Sequence, residues 1–425
     1  MPKKALIITY YWPPAGGPGV QRWLKFVKYL PDFGIHPIVY IPENPSYPLL
    51  DQTLLDDIPK EVTILKQPIT EPYRLAEIFS KQASKTISSG VIPKEKKQTA
   101  IQKLMLYVRG NYFIPDARKE WVKPSVSYLS YYIKEHQIET VITTGPPHSL
   151  HLIGLQLKAR LGIKWIADFR DPWTTIGYHK KLKLSASAAK KHEHMEKQVL
   201  TTADHIIVTS GNTKTEFAAK SNRPVTVITN GYDYQQLPKT EKDQRFSVAH
   251  IGSLLSERNP KALWKVLGEL IQEHDHFKDT FILKLIGVVS DDVLNTIRQF
   301  IPENNIDIVG YVTHKEALVH QRQSQLLLLI EIDSEDTKAI IPGKLFEYMV
   351  AETPIVAVGP PDSDVEGIIK STNTGRYFGY HSEPELKAHL LSCYEAYKNS
   401  TLATHPIGLQ QYSRKALTQK LAELI

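Results

Sequence analysis

Residues 140–168 read TVITTGPPHSLHLIGLQLKARLGIKWIAD. A short β-branched run, 140–144, stops at Gly145-Pro146-Pro147, where two prolines bar further strand or helix pairing. Ser149–Leu161 then carries apolar residues at helical spacing, closes at Gly162, and is followed by a second apolar run over 165–168. Strand, helix, strand within about thirty residues is the unit that builds a parallel sheet with helices on its faces. Working outward, the same alternation predicts strands at 4–10, 37–41, 62–65, 205–209 and 225–229. Helices are predicted at 20–30 (ending near Gly34), 125–135, 188–200 and from Asn212.

The alternation pauses over 230–245, a polar stretch with Gly231, Pro238 and a run of charges, and then restarts. Strands are expected at 246–251, 281–286, 307–309, 326–330 and 354–358, with helices at 260–274, 292–300, 315–323 and 344–350. Two long helices, 383–398 and 408–424, close the chain. The span 69–121 fits the pattern poorly and reads as a helical insertion near 70–121. The expected division is 1–235, 236–407 and a closing helix at 408–425, with the two larger parts built as Rossmann-like doubly wound α/β domains.

A chain of 425 residues is too long for one ordinary core. Its one cysteine, Cys393, excludes an intramolecular disulfide framework and suits a reducing compartment. The apolar run at the start is short and has no small-residue cleavage site, and nothing approaches the roughly 20 apolar residues of a membrane span. A cytoplasmic protein is expected. The formal charge of +7 points to nucleic acid, an anionic membrane surface or phosphorylated small molecules. Nucleic acid is set aside because zinc-finger spacing, an aromatic RNA-binding signature and a basic recognition helix are all missing. The basic and aromatic stretch from Lys94 to Phe113 reads either as peripheral contact with an anionic membrane, on the inner face of the plasma membrane, or as an insertion that packs its apolar residues inward.

Four clusters carry candidate chemistry. The first βα turn holds Gly16 and Gly17, where backbone can approach a ligand ahead of a helix N-terminus. Arg22 occupies the third-glycine position of the dinucleotide fingerprint, which argues against NAD. In the second cluster Asp168, Arg170 and Asp171 stand at the end of a parallel strand, where ligands bind open sheets, and read either as ligands of sugar hydroxyls or as an Asp–Arg brace for the loop. His148 begins the preceding helix, either facing the cleft or as a plain cap or surface histidine. The third is Gly252, Ser253 and Arg258, a glycine-ended strand followed by an arginine able to fork onto phosphate. The fourth is Gly343-Lys344-Leu345-Phe346-Glu347. Lys344 and Glu347 share a helix face, so they read either as an intrahelical ion pair or as phosphate and ribose ligands.

Together with Ile228-Thr229-Asn230-Gly231-Tyr232-Asp233 and the Gly310-Tyr311-Val312 turn, these clusters resemble the family 4 retaining glycosyltransferases of the GT-B fold, over essentially the whole chain. The resemblance implies two Rossmann-like domains facing a central cleft, with the last helix crossing back to the first domain. It implies a nucleotide diphosphate sugar as donor and a glycan or lipid-linked sugar as acceptor, in cell-surface polysaccharide or glycoconjugate synthesis, with no metal and no resident cofactor. Donor-binding roles then fall to Gly16, Gly17, Gly252, Ser253, Arg258, Gly310, Tyr311, Gly343, Lys344, Leu345 and Glu347. The acceptor side falls to Asp168, Arg170 and Asp171, and catalysis to Arg258, Lys344, His148 and Asp168. Two positions depart from the family pattern. Ala339 stands where a first glutamate often precedes Glu347 by eight residues, and Ser253 where an arginine often follows the loop glycine. A nucleotide-sugar epimerase or sugar-phosphate synthase on the same fold, or an inactive sugar-binding homologue, is the alternative.

Overall fold

A computed structural model describes residues 3–71, 100–233 and 240–425. By its contacts the chain divides into two compact units. One is Met1–Asn230 with Arg414–Ile425, and the other is Gly231–Ser413.

The first unit is built on a seven-stranded, all-parallel sheet. Its strands are β1 (Lys3–Ile8), β2 (Ile35–Pro42), β3 (Thr63–Gln67), β4 (Thr140–Gly145), β5 (Lys164–Phe169), β6 (His205–Val208) and β7 (Val225–Val227), in the order β3-β2-β1-β4-β5-β6-β7. Both faces are covered, so the strands are apolar on both sides rather than alternating with polar residues. Along β1, Leu6 and Ile8 enter one core with Trp165, Val126 and Leu150, while Ala5 and Ile7 enter the other with Trp23, Leu24 and Val27. Helix Pro18–Tyr29 starts at Pro18, whose fixed φ suits a first helical position.

The closing helix returns to this unit. Leu417, Leu421 and Ile425 join the core under helix Pro18–Tyr29, and Arg414 donates to the Gln21 backbone carbonyl at 2.9 Å. The expected single helix over 408–424 is instead a 3₁₀ turn, Leu409–Tyr412, and a separate helix, Arg414–Ala422. Ser413 between them is extended (φ −67°, ψ 141°), which breaks the helical ladder. Of the insertion expected near 70–121, residues 72–99, with Lys94, Lys96 and Lys97, lie outside the described residues. Its described part is helix Ala100–Tyr112 and a 3₁₀ turn, Lys119–Trp121, which leads into helix Val122–Glu135.

The second unit has six parallel strands, β8 (Phe246–Ile251), β9 (Phe281–Ile286), β10 (Ile306–Gly310), β11 (Leu326–Ile330), β12 (Ile355–Gly359) and β13 (Gly375–Gly379). Their order is β10-β9-β8-β11-β12-β13, the doubly wound arrangement. Strand β13 and helices Asp364–Thr372 and Asp275–Thr280 escape the sequence reading. β13 is an edge strand, GRYFG, with only Phe378 buried, so it lacks the apolar run that marks the others.

Candidate functional site

In the second unit the strand order reverses between β8 and β11, and ligands of open α/β sheets bind outside the carboxyl ends at such a point. β8 ends in His250 and Ile251 and turns at Gly252, whose φ of +111° suits glycine alone. Helix Gly343–Met349 begins beside that turn. Lys344 Nζ donates to the Ile251 carbonyl at 3.0 Å and lies 3.1 Å from His250 Nε2. A Cβ built on Gly252 would stand 3.7 Å from the same nitrogen, so the turn passes directly over the amine.

Burial, then the Arg258 charge, pulls the Lys344 pKa down from 10.5 to about 7, with Glu347 opposing. Burial pushes His250 well below the usual histidine range, helped by Lys344 and Arg258. Arg258 is half-buried, and among the described residues its guanidinium has no hydrogen-bond or ion-pair partner. Two neighbouring cations, neither with a carboxylate in hydrogen-bond contact among the described residues, make an anion-seeking site. Helix Gly343–Met349 is only seven residues long, so the side chains supply most of that field.

Glu331, directly after β11, is 4% exposed. Its Oε1 accepts from Ser363 Oγ at 2.9 Å, and its Oε2 lies 2.7 Å from the Tyr377 hydroxyl. That hydroxyl also lies 2.8 Å from the Pro360 carbonyl. The Tyr377 hydroxyl has one proton to donate and two acceptors facing it, Glu331 Oε2 and the Pro360 carbonyl. Burial raises Glu331 from 4.5 to about 7, against the lowering effects of Tyr377, Ser363 and Arg258.

Glu347 does not pair with Lys344. Its Oε1 is 3.0 Å from His314 Nε2, and its Oε2 accepts from Gln321 Nε2 at 3.1 Å. Gly343 is open on its Cα face, and Gly310 has a φ of +79° and presents Tyr311, 87% exposed. Ser253 is exposed. Leu345, by contrast, is fully buried in the core, so only its backbone remains for a ligand.

The first unit corrects the second sequence cluster. Asp168 is fully buried, and its carboxylate accepts from Arg22 Nη2 (2.8 Å), Trp23 Nε1 (2.9 Å) and Thr144 Oγ1 (2.8 Å). Those donors leave it as scaffold, not as an acceptor ligand or a catalyst. Arg170 donates to the Gly145 and Pro146 carbonyls and fills the space against Gly19, so it braces the loop. Asp171 is half-buried, its pKa raised by burial and opposed by Arg170. His148 is buried, stacked on Trp173 at 4.9 Å, and held far below the usual histidine range by burial and by His151, His179, Arg170 and His192. It stays neutral and is a poor proton carrier near pH 7. Gly16 donates its N–H to Leu49, whereas Gly17, at a φ of +106°, has open space beside it.

Sequence reading places His250 at the head of the third cluster without a role and misses Glu331, Tyr377, His314 and Gln321. A polar residue near or just past the end of a largely apolar strand, as His250 and Glu331 are, is the signal that marks two of them.

Residues 90–236 match the family model described as Glycosyltransferase Family 4. No curated protein sequence matches the chain. The chain shares its fold with a sucrose-phosphate synthase from Thermosynechococcus elongatus (TM-score 0.60, 12% identity, covering 99% of this chain and 98% of that one). It is similar also to the lipopolysaccharide outer core galactosyltransferase WaaB (TM-score 0.56, 14% identity, 99% and 98%). A third match is a point mutant of S. aureus TarM in complex with Fondaparinux, alpha-GlcNAc-glycerol and UDP (TM-score 0.54, 12% identity, 99% of both chains). At these identities the likeness is one of fold: two parallel α/β sheets of the GT-B type.

Proposed function

We propose that this protein is a glycosyltransferase that takes a sugar from a nucleoside diphosphate sugar held by its second unit and passes it to a glycan or lipid-linked acceptor, with retention of anomeric configuration. The carrying observation is the pair of cations at the end of β8, Arg258 without a protein partner among the described residues and Lys344 held near its neutral point. An arriving diphosphate supplies the counter-charge that both lack. Arg258 and Lys344 then stabilise the negative charge that grows on the diphosphate as the glycosidic bond breaks. The acceptor hydroxyl adds to the anomeric carbon on the face the diphosphate leaves, and its proton passes to the departing phosphate oxygen. Glu347 exchanges His314 and Gln321 for the ribose hydroxyls, and Tyr311 offers an exposed ring to the base.

Supporting the donor class, one protein of this fold, TarM, was crystallised with UDP. Cell-surface polysaccharide or glycoconjugate is the proposed product class. Peripheral attachment to an anionic membrane is proposed through helix Ala100–Tyr112, which exposes Lys103, Leu104 and Tyr107. No described helix is long and apolar enough to cross a membrane. The experiment is a thermal-shift screen with UDP, GDP, ADP and their sugars, in which a ligand at a hundredfold excess over its Kd adds about 2.7 kcal/mol. Failure of all of them to raise the melting temperature removes the donor reading.

A further inference from the structure

The Lys344 amine is not held by a carboxylate, the usual partner of a half-buried lysine. Its contacts are one backbone carbonyl and one imidazole nitrogen, 3.0 and 3.1 Å away. That imidazole, His250, is fully buried at the end of β8, and its Nδ1 has no partner among the described residues. Around Lys344 the charged or titratable groups are His250, Arg258, Glu347 and Tyr348; around His250 they are Lys344 and Arg258. A carboxylate in place of His250 would neutralise Lys344 permanently and would repel an incoming phosphate. An apolar residue would leave the amine with the Ile251 carbonyl as its one remaining hydrogen-bond contact of these two.

We propose that His250 is a positioning residue for donor binding: its Nε2 fixes the Lys344 amine beneath the Gly252 turn without cancelling its charge, so that the ammonium is completed when the diphosphate arrives. The inference rests on the donor reading above. Its chemistry is simple proton uptake. The amine takes a proton from solvent as the diphosphate binds, and the Ile251 carbonyl, His250 Nε2 and a phosphate oxygen share its three N–H bonds. Lys344 titrates at about 7 in the free protein, so uptake is small at lower pH and grows above that point. Diphosphate affinity consequently falls as pH rises through 7, by up to about tenfold per unit.

The test is calorimetric titration of UDP, GDP and ADP, with the corresponding nucleosides as controls, into wild type, His250→Leu and His250→Gln. Each is measured at about pH 6 and about pH 8 in buffers of different ionisation enthalpy. In wild type the preferred diphosphate should bind with proton uptake that is larger at the higher pH. His250→Leu should weaken the diphosphate about tenfold, spare the nucleoside and alter the pH profile. His250→Gln, which keeps an acceptor near the Nε2 position, should restore most of the loss. Unchanged diphosphate affinity and pH profile in a folded His250→Leu overturns the inference while leaving the donor reading intact. So does an equal loss of diphosphate and nucleoside in both variants with lowered melting, which marks a structural role. Absence of binding of all three diphosphates to wild type overturns the donor reading, and this inference with it.

Discussion

Arg22 and Asp168, 146 positions apart, form an ion pair of 2.8 Å whose side chains are 2% and 0% exposed. Arg22 also donates to the Thr229 carbonyl at 2.8 Å, and Trp23 and Thr144 complete the carboxylate's shell. One buried pair therefore ties helix Pro18–Tyr29 to β4, β5 and the chain beyond β7. Asp168→Ala strands a guanidinium in the core and should cost about 3–5 kcal/mol. Melting should fall by roughly ten degrees, with nucleotide affinity of the folded protein unchanged. Arg22 and Thr144 hold the Asp168 carboxyl below its usual 3.8 despite burial. Its contribution is therefore present above the unfolded value and is lost as pH falls through the folded one. Normal melting of Asp168→Ala would remove the scaffold role.

Arg258→Ala should weaken nucleoside diphosphate by about ten- to a hundredfold and leave the bare nucleoside within about twofold, because a charged hydrogen bond is worth about 1.5–3 kcal/mol. The measurement is parallel titration of both ligands. An equal loss of the two would mean that Arg258 supports the fold.

Glu347→Gln keeps the shape of the side chain and suits a helix. It should cost about tenfold or more in donor affinity and shrink the preference for ribo- over 2′-deoxyribo-donors. His314 and Gln321 already contact this carboxylate, so the fold should tolerate the change. Normal ribo-donor binding with lowered melting would show that Glu347 serves only those two side chains.

Glu331 gives a pH signature of the opposite sign to Asp168. Its folded pKa, about 7, lies above its ordinary 4.5. The folded state thus binds the extra proton between these values, and the group's contribution is lost as pH rises through 7. Glu331→Gln cannot ionise and should gain stability relative to wild type on moving from about pH 5 to about pH 8, by as much as about 3 kcal/mol. Chemical denaturation at both values checks this. A constant difference would mean that Glu331 is ionised throughout.

Charge reversal of Lys94, Lys96, Lys97 and Lys103 should abolish co-sedimentation with anionic liposomes at low salt. High salt should weaken wild-type binding, because the Debye length shrinks from about 10 Å at 0.1 M to about 3 Å at 1 M. Unchanged sedimentation of the reversed protein would remove the membrane proposal.

The repeated strand-helix alternation, its pause and its restart are local patterns, and by themselves they determine two parallel α/β sheets. Gly252, Arg258, Lys344 and Glu347, the proposed donor ligands, each lie on a short strand-turn-helix segment, so a local pattern is enough to single them out. β13 was not legible, because an edge strand needs no apolar run. Partners distant in the chain were also out of reach. Lys344 meets His250 across 94 positions, and Glu331 meets Ser363 and Tyr377 across 32 and 46. Asp168 had the look of a cleft ligand at a strand end, and only the tertiary structure, by laying Arg22, Trp23 and Thr144 around it, decided otherwise. A charge's environment depends on what covers it and which donors face it. Folding settles both by bringing remote segments into one place, where burial and pairing fix whether a carboxylate or an amine is scaffold or site.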